Sequence, residues 1–437
     1  MDAESIAAIH HLRQKAASLL LFQSVLAQPP GKAFLALLEL LETQGDPLDC
    51  LKGYGEWFQS LAAQQQTWQQ YLMSQILRSD NPLVRQIQRC EEQISSALME
   101  AARQDLRFLQ ALYQCNAHQI SDWVKQAANL SEPPTVWSAA LENSNGIQTI
   151  LSHAQDWGTV LEDLTEHYKR YGAGIFVQYG AFRWQHGKLI GIAVPDRVQL
   201  SDLAGYSAQR NALLKNTEFL MSGYPALHVL LYGSRGSGKS SLIKALLSEY
   251  SHRGLRLIEI AKADLQDLPL VLEEIRNAPQ KFVLFVDDLS FEEDENEYKA
   301  LKVILEGNLT ARPNNVVVYA TSNRRHLIRE FFSDRPRPKD AEEIHHGDTV
   351  QEKLSFSDRF GLTLTFEPAD QNTYLEIVHH LAEHAKITLE PEYLEYLALQ
   401  WATRHNGRSG RTARQFIDFL QADLAVYGSE AYRSQNV

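Results

Sequence analysis

The sequence predicts an α/β protein, in which a parallel sheet lies between helices, with an all-α N-terminal domain before it and a small C-terminal helical lid after it. Three observations lead to this fold class. Nearly continuous apolar runs alternate with helical segments from about residue 228 to about residue 323, which is typical of a parallel sheet covered on both faces. The first 130 residues or so carry apolar side chains at helical spacing. The same spacing returns from about residue 371 to the end.

The overall composition is that of a folded protein with more than one domain. The chain has 437 residues, of which 44% are hydrophobic and 22% charged. A chain of this length predicts two to three domains. The formal net charge of -12 argues against a surface built as a whole to bind nucleic acid or anionic lipid.

Cysteine usage and the N-terminal residues predict a cytoplasmic protein without membrane insertion. Cys50, Cys90 and Cys115 are far apart and show neither metal-ligand nor redox-pair spacing. The first residues are acidic, whereas a secretory signal would be basic. The apolar run at residues 19–22 is much shorter than the roughly 20 residues that span a bilayer.

The N-terminal third predicts a helical bundle. A clear stripe of apolar residues, spaced three or four apart for most of its length, comprises Leu83, Ile87, Cys90, Ile94, Leu98, Ala101, Phe108, Leu109 and Leu112. We interpret it as the inward face of a bundle rather than as a groove-binding helix for a partner. The predicted division is a helical domain over 1–150, a connecting segment with a short strand pair over 151–199, an α/β domain over 200–368 and a helical lid over 369–437.

A glycine-rich turn predicts a phosphate site. Residues 233–240 read GSRGSGKS, and an apolar strand precedes them while a helix-forming run follows, which is the context that the P-loop motif requires. Glycines allow backbone N–H groups to face phosphate oxygens, and the helix N-terminus favours an anion. Lys239 can reach the β- and γ-phosphates, and the Ser240 hydroxyl can bind Mg²⁺. The predicted nucleotide contacts in this turn are Gly233, Ser234, Arg235, Gly236, Ser237, Gly238, Lys239, Ser240 and Ser241.

Two further strands end in polar side chains. Asp287 and Asp288 follow the buried run FVLFV, which makes Asp287 a candidate Mg²⁺ partner and Asp288 the candidate that orients or deprotonates the attacking water. Glu292 and Glu293 are alternative bases. Asn323 ends the run VVVYATSN and can hydrogen-bond the water or the γ-phosphate.

Arginines near the C-terminus are candidates for contact with phosphate. Arg359 lies in the segment SDRFG, and an arginine in an NTPase can supply charge to the transition state, often across a subunit boundary. Arg411 and Arg414 lie near a predicted helix start, where basic residues oppose the helix dipole, which suggests a use such as a nucleotide phosphate.

In order, the segments GSRGSGKS, FVLFVDD, YATSN, SDRFG and SGRTAR resemble the Walker A, Walker B, sensor 1, arginine-finger and sensor 2 elements of AAA+ ATPases. The text from DLAGYSAQRNALLKNTEFL to SGRTARQF is similar to a predicted ATPase family, domain of unknown function 815, over about residues 170 to 420. The resemblance implies ATP and Mg²⁺ as ligands, Asn323 as sensor 1, Arg359 as finger and Arg411 or Arg414 as sensor 2. It also implies that Leu203, Ala204 and Gly205 border the adenine.

Two functions follow from this resemblance. The first is an oligomeric ATPase, a ring or an open ring, that remodels a protein or nucleic-acid client. The second is a nucleotide-gated switch or loader module with little intrinsic hydrolysis, with nucleic acid as a candidate partner. The Walker B strand ends in Asp-Asp where most AAA+ proteins have Asp-Glu, which predicts either slow turnover or a base elsewhere in the chain. A P-loop kinase is disfavoured because no acceptor motif is present. Basic residues at 324–325 and 335–339 are the candidates for contact with nucleic acid.

Overall fold

The computed structural model describes residues 1–89, 94–138, 146–291, 301–302, 304–305, 313–323, 357–405 and 407–428. The chain forms two compact units, residues 1–178 and residues 179–437. The predicted connecting segment over 151–199 is thus divided between them, and the four-part functional division stays a prediction. No helix in the described ranges is long and apolar enough to cross a membrane.

The described residues of the first unit form helices and contain no strand, as the sequence predicted. The helices are α1 (Ala3–Ala17), α2 (Pro29–Glu42), α3 (Pro47–Gln64), α4 (Trp68–Arg78), α5 (Pro82–Gln88), α6 (Ser96–Gln114), α7 (Ala117–Ala128), α8 (Ile147–His153), α9 (Leu161–Tyr171) and α10 (Ile175–Gln178).

Side-chain caps define where several of these helices begin. The side chains of Asp2, Asp46, Asn81 and Asn116 each accept a hydrogen bond from a backbone N–H of the first turn. Thr67 and the glutamine three residues later form a reciprocal capping box before α4. Such caps satisfy donors that have no partner inside the helix.

The apolar stripe from Leu83 to Leu112 is divided between two helices. Leu83 and Ile87 are buried on α5, which ends at Gln88, whereas Leu109 and Leu112 are buried on α6. The inward-facing interpretation therefore holds for these four residues. Cys90 lies outside the described residues.

A buried carboxylate ties the end of α1 to α6. Asp105 is fully buried, and its oxygens accept hydrogen bonds from the backbone N–H groups of Leu20, Leu21 and Phe22 at 2.7–3.0 Å. The apolar core of the same unit contains a group of aromatic rings, in which Phe34 stacks on Trp68 with ring centroids 4.1 Å apart and Trp57 and Tyr71 also contact Trp68.

The described residues of the second unit form a seven-stranded sheet. Its strands are β1 (Ala181–Gln185), β2 (Lys188–Ile192), β3 (Val229–Gly233), β4 (Leu255–Glu259), β5 (Lys281–Val286), β6 (Val316–Ser322) and β7 (Leu362–Phe366). The order is β2-β1-β4-β5-β6-β3-β7, and every neighbouring pair is parallel except β1 with β2. The predicted strand pair is thus the edge of this sheet.

Helices accompany the strands and also follow the last strand. They are α11 (Ser207–Met221), α12 (Lys239–Tyr250), α13 (Leu268–Ile275), α14 (Gln371–His384), α15 (Pro391–Arg404) and α16 (Gly410–Tyr427). The last three share an apolar core of their own, to which Tyr374, Ala398 and Phe416 belong. The predicted fold class is therefore confirmed: an all-α region, a P-loop α/β core with a mostly parallel sheet, and a small helical lid.

Candidate nucleotide-binding site

The site lies where β3, β5 and β6 end. In a parallel sheet the carboxyl ends of neighbouring strands lie at one edge, where ligands of α/β proteins bind. Because β6 lies between β5 and β3, the P-loop, the Asp287–Asp288 pair and Asn323 come to the same edge.

The P-loop turn depends on glycines. Gly236 has φ 75° and Gly238 has φ 88°, in the left-handed region that side chains disfavour. At Gly233 a Cβ atom would lie 1.9 Å from the carbonyl oxygen of Phe366, because β7 runs directly beside it. The α12 helix then begins at Lys239, so its unpaired first-turn N–H groups face the turn.

Lys239 lies at the centre of this turn and is 6% exposed. Its Nζ donates to the carbonyl oxygens of Gly233 and Ser234 at 2.9 and 2.7 Å, and Asn323 Oδ1 lies 3.4 Å away. Burial lowers the pKa of the ammonium group, against the opposing effect of Asp287 and Asp288. The hydrogen-bond acceptors around the Lys239 ammonium group are neutral oxygens, so a bound polyphosphate would supply it with a negatively charged partner.

The two residues predicted to bind a metal are in contact. Ser240 Oγ donates a hydrogen bond to Asp287 Oδ1 at 2.6 Å. Hydroxyl and carboxylate oxygens suit Mg²⁺, which is usually bound by one or two carboxylates together with substrate phosphates and water. The donor set at this position therefore fits Mg²⁺.

Asp288 is paired with Asn323. Asn323 Nδ2 donates to Asp288 Oδ1 at 2.6 Å, so the predicted base and the predicted sensor 1 are joined directly. Asp288 has φ 50°, an uncommon conformation for a residue with a side chain.

Thr321 is a site residue that the sequence reasoning missed. Its Oγ1 donates to Asp287 Oδ1 and accepts a hydrogen bond from the Asp288 N–H at 2.9 Å. The strand register contains the signal, because Val286 pairs with Ala320, which places the residues that follow side by side.

The lid contacts the P-loop through the first turn of α16. The Arg411 N–H donates to the Gly236 carbonyl oxygen, and the Ser409 hydroxyl caps the helix by accepting from the Thr412 N–H at 3.1 Å. Arg411 and Arg414 both line the site, so the choice between them for sensor 2 stays open.

These elements enclose a cavity of about 910 Å³. Its volume is in the range of small-molecule sites. The predicted residues that line it are Leu203, Ala204, Gly205, Arg235, Gly236, Ser237, Gly238, Lys239, Ser240, Ser241, Asp287, Asp288, Asn323 and Arg411. The sequence reasoning missed Asp196, Arg197, Val198, Tyr206, Arg210, Ile377 and Leu381, which also line it.

Leu203, Ala204 and Gly205 lie beside the lid helix α14. A Cβ atom at Gly205 would lie 3.4 Å from Thr373 and 4.0 Å from Ile377. The apolar side chains Ile377 and Leu381 thus face the cavity close to this segment. An apolar wall of this kind suits a nucleobase.

Arg359 is not among the residues that line this cavity. It ends a short 3-10 turn before β7, and β7 begins with Leu362 paired to Val229, the first residue of β3. The P-loop follows the other end of β3. The structure therefore does not bring Arg359 to the P-loop of its own chain. Glu292, Glu293 and the basic residues at 324–325 and 335–339 lie outside the described residues.

Comparison with known proteins identifies a family for this chain. Residues 177–424 match the family described as "Protein of unknown function (DUF815)". No curated protein matches the chain. Among solved structures, the Thermotoga maritima RuvB Holliday junction branch migration motor is 16% identical, with a TM-score of 0.36 over 52% of this chain. A proline-to-glycine mutant of that protein is 18% identical, with a TM-score of 0.37 over 52% of this chain and 67% of the mutant chain.

The match to unmodified RuvB spans 66% of the RuvB chain, slightly less than two thirds. The match to the family, in contrast, extends over more than half of this chain and contains the P-loop, Asp287, Asp288, Asn323, Arg359 and Arg411. The chain therefore belongs to the DUF815 family, with the P-loop α/β core and helical lid that its AAA+ resemblance implied.

Proposed function

We propose that this protein is a Mg²⁺-dependent ATPase that assembles as a ring or open ring and couples ATP hydrolysis to the remodelling of a macromolecular client. The observation that carries the proposal is the meeting of Lys239, Ser240, Asp287, Asp288 and Asn323 at one cavity. Phosphoryl transfer depends mainly on positioning and on charge stabilisation, and these five residues supply both.

Each residue has a defined task in this proposal. The P-loop N–H groups and Lys239 bind the β- and γ-phosphates. Ser240 and Asp287 would hold Mg²⁺, which supplies neutralisation of phosphate charge when bound. Asp288 accepts a proton from the attacking water or orients it, and Asn323 holds the Asp288 carboxylate in place.

The location of Arg359 supports the proposal that the protein is an oligomer. An arginine that stabilises the transition state must reach the γ-phosphate, and Arg359 lies at the other end of β3 from the P-loop of its own chain. In the proposal Arg359 therefore serves the site of a neighbouring copy in the cytoplasm.

The helical first unit is proposed to recognise the client. It carries a polar cleft of about 600 Å³, whose side chains offer paired amide donors and acceptors. Among those lining the cleft are Gln28, Gln64, Gln66, Gln75, Gln178 and Arg78. Removing residues 1–178 should leave ATP binding intact and abolish any stimulation by the client. Loss of ATP binding in this variant would contradict the division of labour.

The second candidate is a nucleotide-gated switch with little hydrolysis. It is favoured by the Asp288 carboxylate, which is one methylene shorter than the glutamate of most AAA+ proteins and is already bonded to Asn323. The Asp288 carboxylate would therefore lie farther from the attacking water than the carboxylate of a glutamate at the same position.

Steady-state ATP hydrolysis as a function of protein concentration separates the two candidates. For the ATPase, turnover per subunit should rise with concentration and should disappear in Lys239→Ala and Arg359→Ala, while Arg359→Ala still binds ATP. Lys215→Ala, an exposed lysine on α11 outside the residues that line the cavity, is the matched control. ATP binding with negligible turnover at every concentration would favour the switch. Absence of ATP binding would contradict both.

A further inference from the structure

We propose that Thr321 is a positioning residue that orients both carboxylates of the Asp287–Asp288 pair, and that its hydroxyl thereby sets the affinity of the site for Mg²⁺. The inference rests on the proposed function and extends it to a residue that neither the sequence motifs nor the family assigns. It starts from one hydroxyl group with two partners, the Asp287 carboxylate and the Asp288 N–H.

Thr321 is a buried polar residue near the end of its strand. All seven residues of β6 are buried, and Thr321 itself is 2% exposed. A buried hydroxyl costs free energy unless it is hydrogen-bonded, and valine has the same shape without that cost. Both hydrogen bonds of Thr321 Oγ1 go to the Asp287–Asp288 pair.

The first bond fixes the Asp287 carboxylate. Oδ1 accepts from Thr321 Oγ1 and from Ser240 Oγ, and the Asp288 N–H lies 3.2 Å away. Within the described residues, Oδ2 makes no hydrogen bond. Because Thr321 on β6 donates to Oδ1, the plane of the Asp287 carboxylate is set. Ser240 is also a donor to this oxygen, so the lone pairs of the Ser240 oxygen stay available to a cation. Partners of this kind, behind a metal ligand, commonly tune metal affinity.

The second bond holds the backbone turn at Asp288. Thr321 accepts the Asp288 N–H through its hydroxyl and the Leu289 N–H through its carbonyl oxygen at 2.7 Å. These two bonds come from one residue and clamp a turn in which Asp288 has φ 50°. Strained backbone persists only where its surroundings hold it. The turn directs the Asp288 carboxylate towards Asn323.

The test is a Mg²⁺ titration of the binding of a fluorescent ATP analogue to the full chain. In Thr321→Val, the Mg²⁺ concentration at half-saturation should rise about tenfold or more, whereas Thr321→Ser should stay within about threefold of the unmodified protein. Binding of the analogue in EDTA should be the same in all three proteins, since the P-loop and Lys239 are unchanged. Thr217→Val is the matched control, because Thr217 is also a fully buried threonine in hydrogen bonds but lies on α11, outside the cavity lining.

Several outcomes would overturn the inference. An unchanged Mg²⁺ midpoint in Thr321→Val would show that the hydroxyl does not orient Asp287. A midpoint in Thr321→Ser about tenfold above that of the unmodified protein would show that the hydroxyl is not the group that matters, and this result decides the matter if Thr321→Val does not fold. Failure of the unmodified chain to bind the analogue at any Mg²⁺ concentration would overturn the proposed function itself, and is thus distinct from the first two results.

Discussion

The backbone N–H of Arg411 donates a hydrogen bond to the carbonyl oxygen of Gly236 over 3.1 Å. This bond joins the first turn of the last lid helix to the P-loop. Gly236 also approaches the lid closely, since a Cβ atom there would lie 2.9 Å from Ser409 Oγ and 3.0 Å from Arg411 Cβ. The lid and the P-loop therefore share a backbone hydrogen bond.

Gly236→Ala should weaken ATP binding about tenfold or more, because the methyl group would push the lid away from the P-loop and strain a backbone with φ 75°. Isothermal titration calorimetry measures this change. Gly223→Ala is the control, since Gly223 has φ 81° and open space around it. It should lower stability by about 1–2 kcal/mol without affecting ATP binding. Equal ATP affinity in Gly236→Ala and the unmodified chain would contradict the role of the contact.

Asp288→Asn should lower ATP turnover by about 10²–10⁴-fold, because an amide cannot accept the proton of the attacking water. ATP binding should change little, since Lys239 and the P-loop remain. Single-turnover kinetics, with the protein at a saturating concentration in excess over ATP, separates the two effects. Asp264→Asn, outside the residues that line the cavity, should leave turnover unchanged. Normal turnover in Asp288→Asn would move the role of base to Glu292 or Glu293.

ATP affinity should fall as the pH rises. The fall should occur at a lower pH than it would with a lysine of ordinary pKa. Lys239 attracts phosphate only while charged, and burial lowers its pKa from the ordinary value of 10.5 in the nucleotide-free protein. The affinity is therefore full below the lowered pKa and is lost as pH rises through it. Binding measured from about pH 7 to about pH 10 checks this. The residual binding of Lys239→Ala should not vary over that range, and a flat profile in the unmodified chain would refute the prediction.

Asp105→Ala should destabilise the helical first unit by about 3 kcal/mol or more, because three backbone N–H groups would lose their partner. Asp105→Asn keeps the shape and one acceptor oxygen, so its effect should be smaller. Chemical denaturation gives both values. Asp122→Ala, an exposed aspartate on α7, is the control and should change the free energy of unfolding by no more than about 0.5 kcal/mol.

The parts of the site that could be predicted from the sequence are those that one local segment specifies. A strand, a glycine turn and a helix follow one another at residues 229–250, and the motif and its context lie in that single stretch. Asp287 was recognisable because it ends a buried strand. In each case consecutive residues determine both the functional groups and the local backbone conformation.

The parts that escaped prediction depend on contacts between distant segments. Thr321 contacts Asp287 because of the register of β6 against β5. The hydrogen bond from Arg411 to Gly236 forms because the first turn of α16 lies beside the P-loop. The predicted apolar stripe from Leu83 to Leu112 likewise continues past Gln88, where α5 ends, because apolar spacing alone does not indicate where a helix ends. In contrast, caps such as Asn81 and Asn116 are visible in the sequence and do mark helix starts.

The placement of β3 between β6 and β7 has a consequence for how the chain folds. Val229, Leu230 and Leu231 form the fully buried centre of the P-loop strand, yet both of its neighbours come much later in the chain. During synthesis this strand has no pairing partner until β6 at residue 316 has emerged, and its second edge stays open until β7 at residue 362. Non-local pairing of this kind slows folding and exposes apolar edges to aggregation. The phosphate site is thus among the last features of its unit to be completed, although its motif lies in the middle of the chain.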